Sequence, residues 1–466
     1  MTLSSLSEAI TRHALTAADR PALSQGDVVV SYGALDVLLN RATAALQREG
    51  LSVGDRIALL GEPTVEYAVA FLAAVRAGVT PVPLAPGVTD DTLRSMLVDA
   101  QPRLVFCDAS QSARCNALVD VPAIVTLDGS TGGKPWLDWL APEDAKPTVQ
   151  PVGPDTAFNI IYSSGTTGTP KGIIHSHRMR EGQTAGLSGL FSPLSITLLA
   201  TPLYSNTTLV TMLPTLFAGG SVLIMRKFDT KVFLQVSQQH GVTHTMLVPV
   251  QYQRLMAEAT FDDADLSAFQ MKFCTSAPFS VELKSEVLRR WPGGLLEIFG
   301  MTEGGGVCFL PAHLFPNKLH TVGMPAPGAD MRIIDDEGVE QPIGEIGEIV
   351  SYSAQMMLRY NNRPDATQAG FWTASDGRAF IRTGDLGRFD ADGFLQIVGR
   401  KKDMIISGGG QHLPDRSGNR DRRPSRSHRK RRHRGARSQM GRDACGLRGS
   451  SVWIADRRGG PACLGQ

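Results

Sequence analysis

The sequence has no Cys-x-x-Cys pair, no basic leader and no long unbroken apolar run. Its six cysteines, Cys107, Cys115, Cys274, Cys308, Cys445 and Cys463, are scattered along 466 residues. That spacing excludes zinc-ribbon and thioredoxin-type motifs and reads as reduced thiols of a cytosolic protein. The start, MTLSSLSEAITRH, lacks a basic segment followed by an apolar one, so no secretory signal is read. The longest apolar stretch, from Ile196 to Met225, is broken by Pro202, Asn206, Pro214 and two glycines, which excludes a membrane span. No internal repeat is visible. What is present is ordinary for a folded chain: 42% apolar and 20% charged residues, enough length for two to four folding units, and no need of a disulfide or metal staple.

The net charge of +2 conceals an asymmetry. Residues 411–466 hold 14 Arg and one Lys against four Asp, a local +11. That leaves 32 basic and 41 acidic groups, a local −9, in the first 410 residues. Body and tail are therefore different objects.

The body alternates strand and helix patterns. Ser31 is placed to cap a helix carrying Ala34, Leu35, Leu38, Leu39, Ala42 and Leu46 at helical spacing. Arg56–Leu60 reads as a buried strand, and Val65 to Val75 as a helix closed near Gly78. Thr80–Leu84 is extended, Thr89 caps a third helix, and Leu104–Cys107 is the next strand. Further on come strand Ser221–Met225, helix Val232–Gln239, strand Thr245–Val248, helix Val281–Arg290 and strand Leu295–Phe299. The alternation predicts an α/β fold with helix-covered, mainly parallel sheets. From about Thr321, short apolar runs separated by turns such as Asp335-Asp-Glu-Gly338 and Asp392-Gly393 predict a β-rich subdomain of hairpins.

One segment is dense in chemistry. An apolar strand, Phe158–Tyr162, runs into Ser163-Ser-Gly-Thr-Thr-Gly-Thr-Pro-Lys171. Glycines let backbone N–H groups turn toward an anion, hydroxyls add donors, and Lys171 adds positive charge: phosphate-binding chemistry. A Walker A loop needs glycine directly before the lysine, where Pro170 stands, and the dinucleotide fingerprint is absent too. The plainer alternative is a flexible Ser/Gly loop with a solvated lysine.

In its ordered form, Tyr162-Ser-Ser-Gly-Thr-Thr-Gly-Thr-Pro-Lys-Gly172 resembles the signature of adenylate-forming (AMP-binding) enzymes: acyl- and aryl-CoA synthetases, firefly-type luciferases and peptide-synthetase adenylation domains. Four more stretches match in order: Thr275-Ser-Ala-Pro278, Ile298-Phe-Gly-Met-Thr-Glu303, Arg382-Thr-Gly-Asp385 and Gly399-Arg-Lys-Lys-Asp403. The resemblance spans roughly residues 5–410. It implies an adenylation domain whose α/β portion is 1–320, a β-rich subdomain at 321–398, and a hinge and start of a small C-terminal domain at 399–410. Of that small domain the rest is missing.

The resemblance implies activation of a carboxylic acid by ATP through an acyl-adenylate, then transfer to coenzyme A. Positioning and electrostatic stabilisation carry such chemistry. Ser163, Ser164, Gly165, Thr166, Thr167, Gly168 and Lys171 would hold the β/γ-phosphates, and Thr302 would donate to the α-phosphate. Glu303 would hold Mg2+, a hard ion suited to bridging phosphates; its plain alternative is a surface carboxylate. Lys171, Thr302 and Glu303 are the catalytic candidates. Ser276, Ala277, Pro278, Phe299 and Gly300 would surround the adenine, although Phe299 also reads as strand-end core. Asp385 would accept from the ribose hydroxyls, Arg400 would back ribose and phosphate, and Lys402 would be the pivot between half-reactions. Tyr204, Ser205, Asn206, Val248, Gln251 and Met301 would line the acid pocket. Ser205 departs from the histidine many relatives carry there. That lining has no Arg or Lys, which favours an apolar fatty or aryl acid over a dicarboxylate. His175 and His177 read as helix-start structure. A carrier-protein-loading adenylation domain is the alternative function, a homodimer stays open, and the cytoplasm is the expected location.

The tail departs from the family. Relatives continue past Ser407-Gly-Gly into a small domain bearing a catalytic lysine; here the chain becomes Arg-rich from about Gln411. Taken as written, 411–466 is a disordered polycationic arm that could contact nucleic acid. A reading-frame shift is the favoured account. Codons can be chosen for Met440–Gly449 so that dropping one base encodes W-G-E-T-P-V-A-F-V, which resembles a segment of the absent domain. The same shift turns His412–Gly418 into I-F-P-T-D-L-E and permits H-P-D-L-T-E-S-A-V-I-V-A from Pro424–Ala436. The expectation is a chain that keeps the ATP and acid sites, adenylates slowly and forms little thioester.

Overall fold

Hydroxyl side chains cap the helices, at Ser31 and Thr89 as the sequence predicts and at Ser280 besides. The structure, a computed structural model, describes residues 5–118, 123–163, 170–403, 405–407 and 410–412. Ser31 accepts from the Ala34 amide and starts Tyr32–Arg48; Thr89 accepts from Thr92 and starts Asp90–Ala100; Ser280 accepts from Leu283 and starts Val281–Arg290. Each cap satisfies an amide that has no partner inside its helix. The helix expected at Val232–Gln239 is longer, Thr230–His240, because the Asp229 carboxylate caps it and Gly241 closes it in the left-handed conformation.

Two sheets carry the mainly parallel order anticipated. The smaller is parallel throughout, in the order Thr80–Leu84, Arg56–Leu60, Leu104–Cys107, Ile124–Thr126, Lys134–Pro135. Its central strands are buried on both faces, which is why they read as unbroken apolar runs. The larger has a parallel centre in the order Gly294–Phe299, Met271–Cys274, His244–Leu247, Ile196–Leu199, Ser221–Ile224, Pro21–Gln25. Antiparallel strands finish both edges: Val28–Ser31 on one side, Cys308–Pro311 and Met324–Pro325 on the other.

The main core includes the layer of helices against these sheets. Leu35 and Leu39 of Tyr32–Arg48, Phe71 of Val65–Arg76, and Leu209 and Leu213 of Asn206–Ala218 pack with Ile57, Leu59, Phe106 and Val222 from the two sheets. Val65–Arg76 buries every residue from Tyr67 to Val75. A helix apolar all round must lie between layers, and this one does.

The β-rich part also forms. Asp330–Ile334, Gly347–Tyr352, Ala379–Phe389 and Phe371–Thr373 make an antiparallel sheet, and Leu395–Arg400 adds to Ala379–Phe389. A compact unit, Met1–Lys401, contains everything so far; a second begins at Lys402, and its described part is an antiparallel hairpin of Ile405–Ser407 with Gly410–His412.

A third, three-stranded sheet was not anticipated. Ala157–Ser163, Lys171–Ser176 and Arg359–Tyr360 pair antiparallel, the middle strand being Lys171–Ser176. The phosphate-type segment is therefore flanked by antiparallel strands, with a strand rather than a helix following Lys171. His177 opens the helix His177–Ser188, as expected, but His175 lies on the strand before it. Successive β-branched residues, Ile173 and Ile174, suit that strand.

Candidate active site at the carboxyl ends of the parallel strands

Four neighbouring parallel strands deliver most of the candidate residues to one edge. Tyr204, Ser205 and Asn206 follow Ile196–Leu199, and Val248 and Gln251 follow His244–Leu247. Ser276, Ala277 and Pro278 follow Met271–Cys274, and Phe299 ends Gly294–Phe299 just before Gly300, Met301, Thr302 and Glu303. Loops beyond the carboxyl ends of adjacent parallel strands cluster, and ligands of open α/β sheets bind there.

Side-chain bonds tie these loops together. Thr275 donates to the Ile298 carbonyl at 2.8 Å, and the hydroxyls of Thr207 and Ser276 meet at 3.0 Å. Ser276 has φ +79°, a left-handed conformation that a residue with a side chain adopts at a cost of roughly 1 kcal/mol or more. Ser276, Ala277 and Pro278 are exposed, while Phe299 and Met301 are half-buried. Ser205 caps Asn206–Ala218 by accepting from the Thr207 amide. The Asn206 Oδ1 atom is buried without a partner among the described residues. Gln251 is already engaged at both ends: its Oε1 accepts from the Val248 amide at 3.0 Å, and its Nε2 donates to the Ala200 carbonyl at 2.7 Å. Its amide ties two of these loops together.

The hairpin supplies the cation. Ser163, at the end of one strand, and Lys171, at the start of the next, are cross-strand partners. Ser164, Gly165, Thr166, Thr167 and Gly168 lie outside the described residues. Tyr162 anchors the incoming strand by donating to Asp99 Oδ2 at 2.6 Å. On the other side of Lys171–Ser176, the short strand Arg359–Tyr360 pairs Tyr360 with Ile173. This register brings the Tyr360 ring under Lys171, whose Nζ stands 4.2 Å from the ring centroid.

Tyr360 also reaches Glu303. Its hydroxyl donates to Glu303 Oε1 at 2.7 Å, and both residues are buried. Burial, then the adjacent Glu303 charge, pushes the phenol well above its ordinary range, so it remains a donor. Lys171, Tyr360 and Glu303 thus form one contiguous chain, and Tyr360 is the member the sequence analysis missed. Only strand pairing across 187 positions of sequence brings it to Ile173.

The turn carrying Thr302 and Glu303 is held from several sides. The Met357 amide donates to the Glu303 carbonyl at 2.8 Å, the Gly305 amide to the Gln355 carbonyl at 3.0 Å, and Ser353 Oγ to the Gly305 carbonyl at 2.6 Å. Gly304 has φ +79°, and a Cβ there would stand 2.2 Å from the Gln355 carbonyl oxygen. The glycine is needed for conformation and for space.

Asp385 and Arg400 are cross-strand partners in the β-rich sheet, with Arg400 Nε 2.7 Å from Asp385 Oδ1. Burial raises the Asp385 carboxyl, with Arg400 pulling the other way. Next along, Lys401 contacts Glu348 at 3.0 Å and Asp336 at 2.9 Å, and Glu348 also accepts from Arg382 at 2.7 Å. Lys402, the first residue of the second unit, is exposed.

Among the described residues no group of three or more His, Cys, Asp and Glu side chains could cage a metal ion, and no helix is long and apolar enough to cross a membrane. The four described cysteines are free and buried.

An α/β scaffold thus gathers candidate groups beyond the carboxyl ends of four parallel strands, and a separate antiparallel pair ends in Ser163 and resumes at Lys171. Residues 10–361 match the AMP-binding enzyme family, and the chain belongs to it. An indoleacetate–CoA ligase from Aromatoleum aromaticum is 33% identical over 427 residues, 88% of this chain and 81% of that protein. A 4-coumarate–CoA ligase 5 from Oryza sativa subsp. japonica is 31% identical, over 85% of this chain and 76% of its own. The ATP-bound crystal structure of MatB from Rhodopseudomonas palustris superposes with a TM-score of 0.77 at 30% identity, covering 88% of this chain and 82% of that one.

Proposed function

We propose that this chain is an ATP-dependent carboxylic acid–CoA ligase that works through an acyl-adenylate. The observation that carries the reading is the chain Lys171–Tyr360–Glu303. A cation at the start of a strand and a buried carboxylate are joined through one phenol, beside the loops of four parallel strands. A triphosphate needs a cation and donors along its length, and a carboxylate for its metal.

In this reading Ser163, Ser164, Gly165, Thr166, Thr167, Gly168 and Lys171 grip the β/γ-phosphates and Thr302 contacts the α-phosphate. The carboxylate oxygen of the acid attacks the α-phosphorus, pyrophosphate leaves, and the acyl-adenylate is then attacked by the coenzyme A thiol. Glu303 fits Mg2+. One of its oxygens accepts from Tyr360, and a single protein carboxylate alongside phosphate oxygens is a magnesium-type ligand set. The ion would neutralise phosphate charge there. Asp385 accepts from the ribose hydroxyls and Arg400 supports it. Ser276, Ala277, Pro278, Phe299 and Gly300 border the adenine. Lys402 is the pivot, at the start of the second unit.

The acid is apolar, fatty or aryl. Tyr204, Ser205, Asn206, Val248, Gln251 and Met301 bring no cation to receive a second carboxylate. The relatives named for indoleacetate and 4-coumarate support an aryl acid. The cytoplasm, which supplies both ATP and coenzyme A, is the location this reading assigns. Pyrophosphate exchange into ATP, measured against a panel of aryl, fatty and dicarboxylic acids, tests the reading. Exchange driven by an apolar acid is expected. No exchange with any acid, together with no calorimetric heat on adding ATP and magnesium, ends it.

A further inference from the structure

His175 and Arg180 lie beneath the Thr302–Glu303 turn, and neither has a role in the reading above. His175 is fully buried on the strand that begins with Lys171. Its Nε2 stands 2.7 Å from the Thr302 carbonyl oxygen. A carbonyl only accepts, so Nε2 carries the hydrogen. The Nδ1 atom then presents a lone pair, and Arg180 Nη2 donates to it at 2.7 Å. With the hydrogen on Nδ1 instead, two N–H groups would collide there and a lone pair would face the Thr302 oxygen. The Asn159 Oδ1 atom, 3.3 Å from Nδ1, could not compensate for both losses. Burial, then the neighbouring Arg180 charge, holds the imidazole neutral.

Arg180 is itself buried, at 2% exposure. Its Nε donates to Asn159 Oδ1 at 2.9 Å and its Nη1 to Gln183 Oε1 at 3.1 Å. All three acceptors are neutral, and among the described residues no carboxylate makes an ion pair with it. Burying an unpaired guanidinium costs stability. Its observable effect on the neighbourhood is to fix which nitrogen of His175 is protonated.

We propose that Arg180 and His175 are positioning residues for the nucleotide-contacting turn: Arg180 holds His175 as its Nε2–H tautomer, and His175 pins the Thr302 carbonyl. The planar trans peptide links that carbonyl to the Glu303 N–H, so fixing one fixes the direction of the other. The proposal rests on the ligase reading and adds to it a device, outside the phosphate loop, that sets the orientation of Thr302 and Glu303.

The test combines nitrogen NMR of the full chain, labelled at histidine, with pyrophosphate-exchange kinetics. The His175 signal, assigned by its loss in His175→Gln, is expected with Nδ1 bare and Nε2 protonated. Arg180→Met should populate both tautomers and lower kcat about tenfold while the KM for ATP moves little, as expected for a misplaced reacting group. Its thermal midpoint should equal or exceed that of the unaltered chain, because a buried unpaired cation is gone. His175→Gln keeps a donor for Thr302 and an acceptor for Arg180, and should retain most of kcat; His175→Leu should not. An Nδ1–H imidazole in the unaltered chain overturns the proposal. So does an unaffected kcat in Arg180→Met when the unaltered chain exchanges pyrophosphate. An unaltered chain that exchanges with no acid overturns the ligase reading and this proposal together.

Discussion

The hydroxyl of Tyr360 donates to the carboxylate of Glu303 at 2.7 Å while its ring lies beneath Lys171. The two charged groups proposed to face a triphosphate and its metal are therefore held by one side chain, from opposite ends. Tyr360→Phe keeps the ring and removes only the donor. Pyrophosphate exchange should slow about tenfold, equivalent to ~1.4 kcal/mol, with folding intact. Full activity in this variant would show that Glu303 needs no such partner.

Gly304 sets the shape of the same turn. Gly304→Ala places a Cβ against the Gln355 carbonyl at a residue with φ +79°. A loss of more than about 1 kcal/mol is expected from the conformation alone, and more from the clash. Urea denaturation measures it; an unchanged midpoint would mean the turn relaxes freely.

Acid should destabilise the chain through its buried imidazoles. His244 packs against the rings of Phe191 and Phe273, and burial lowers its pKa to about 4 from an ordinary 6.5. His175 is shifted in the same direction. Between those values the unfolded state binds more protons than the folded one, so stability is present above pH 6.5 and falls as pH drops toward 4. His244 accounts for about 1–3 kcal/mol of that fall. Denaturation midpoints across this range, for the unaltered chain and His244→Phe, provide the check. The variant should show the shallower slope, whatever its absolute stability.

The Arg-rich segment 411–466 leads to a prediction at the level of DNA. A single-base shift near codon 409 should open a frame encoding the W-G-E-T-P-V-A-F-V segment, and the frame-restored chain should form thioester at least tenfold faster. Both chains should exchange pyrophosphate. A coding sequence with no such frame, or equal thioester rates, removes the proposal; tail-dependent, salt-sensitive retention on DNA would instead favour a nucleic-acid arm.

The nucleotide-handling family was legible because its signature is local. Ser163 to Lys171 are contiguous, and Met301-Thr-Glu303 and Thr383-Gly-Asp385 each sit within three residues, so chain order alone keeps their chemistry together. Helix starts at Ser31 and Thr89 were legible for the same reason: a cap is satisfied within three residues. Parallel-strand burial was legible as unbroken apolar runs such as Ile57–Leu60.

What the tertiary structure alone decided is long-range. Ser163 and Lys171 became cross-strand partners through antiparallel register, where the string itself is equally compatible with a helix after the lysine. Gln251 is a pocket candidate by position, and only the folded loops show both ends of its amide engaged. Tyr360 joined Lys171 to Glu303 only by pairing with Ile173, and Arg180 met His175 only once the helix His177–Ser188 folded back over its strand. Sequence fixes which groups are within a few bonds of one another. Which groups share a hydrogen bond across the core depends on sheet register and layer packing, and neither leaves a mark on the residues it brings together.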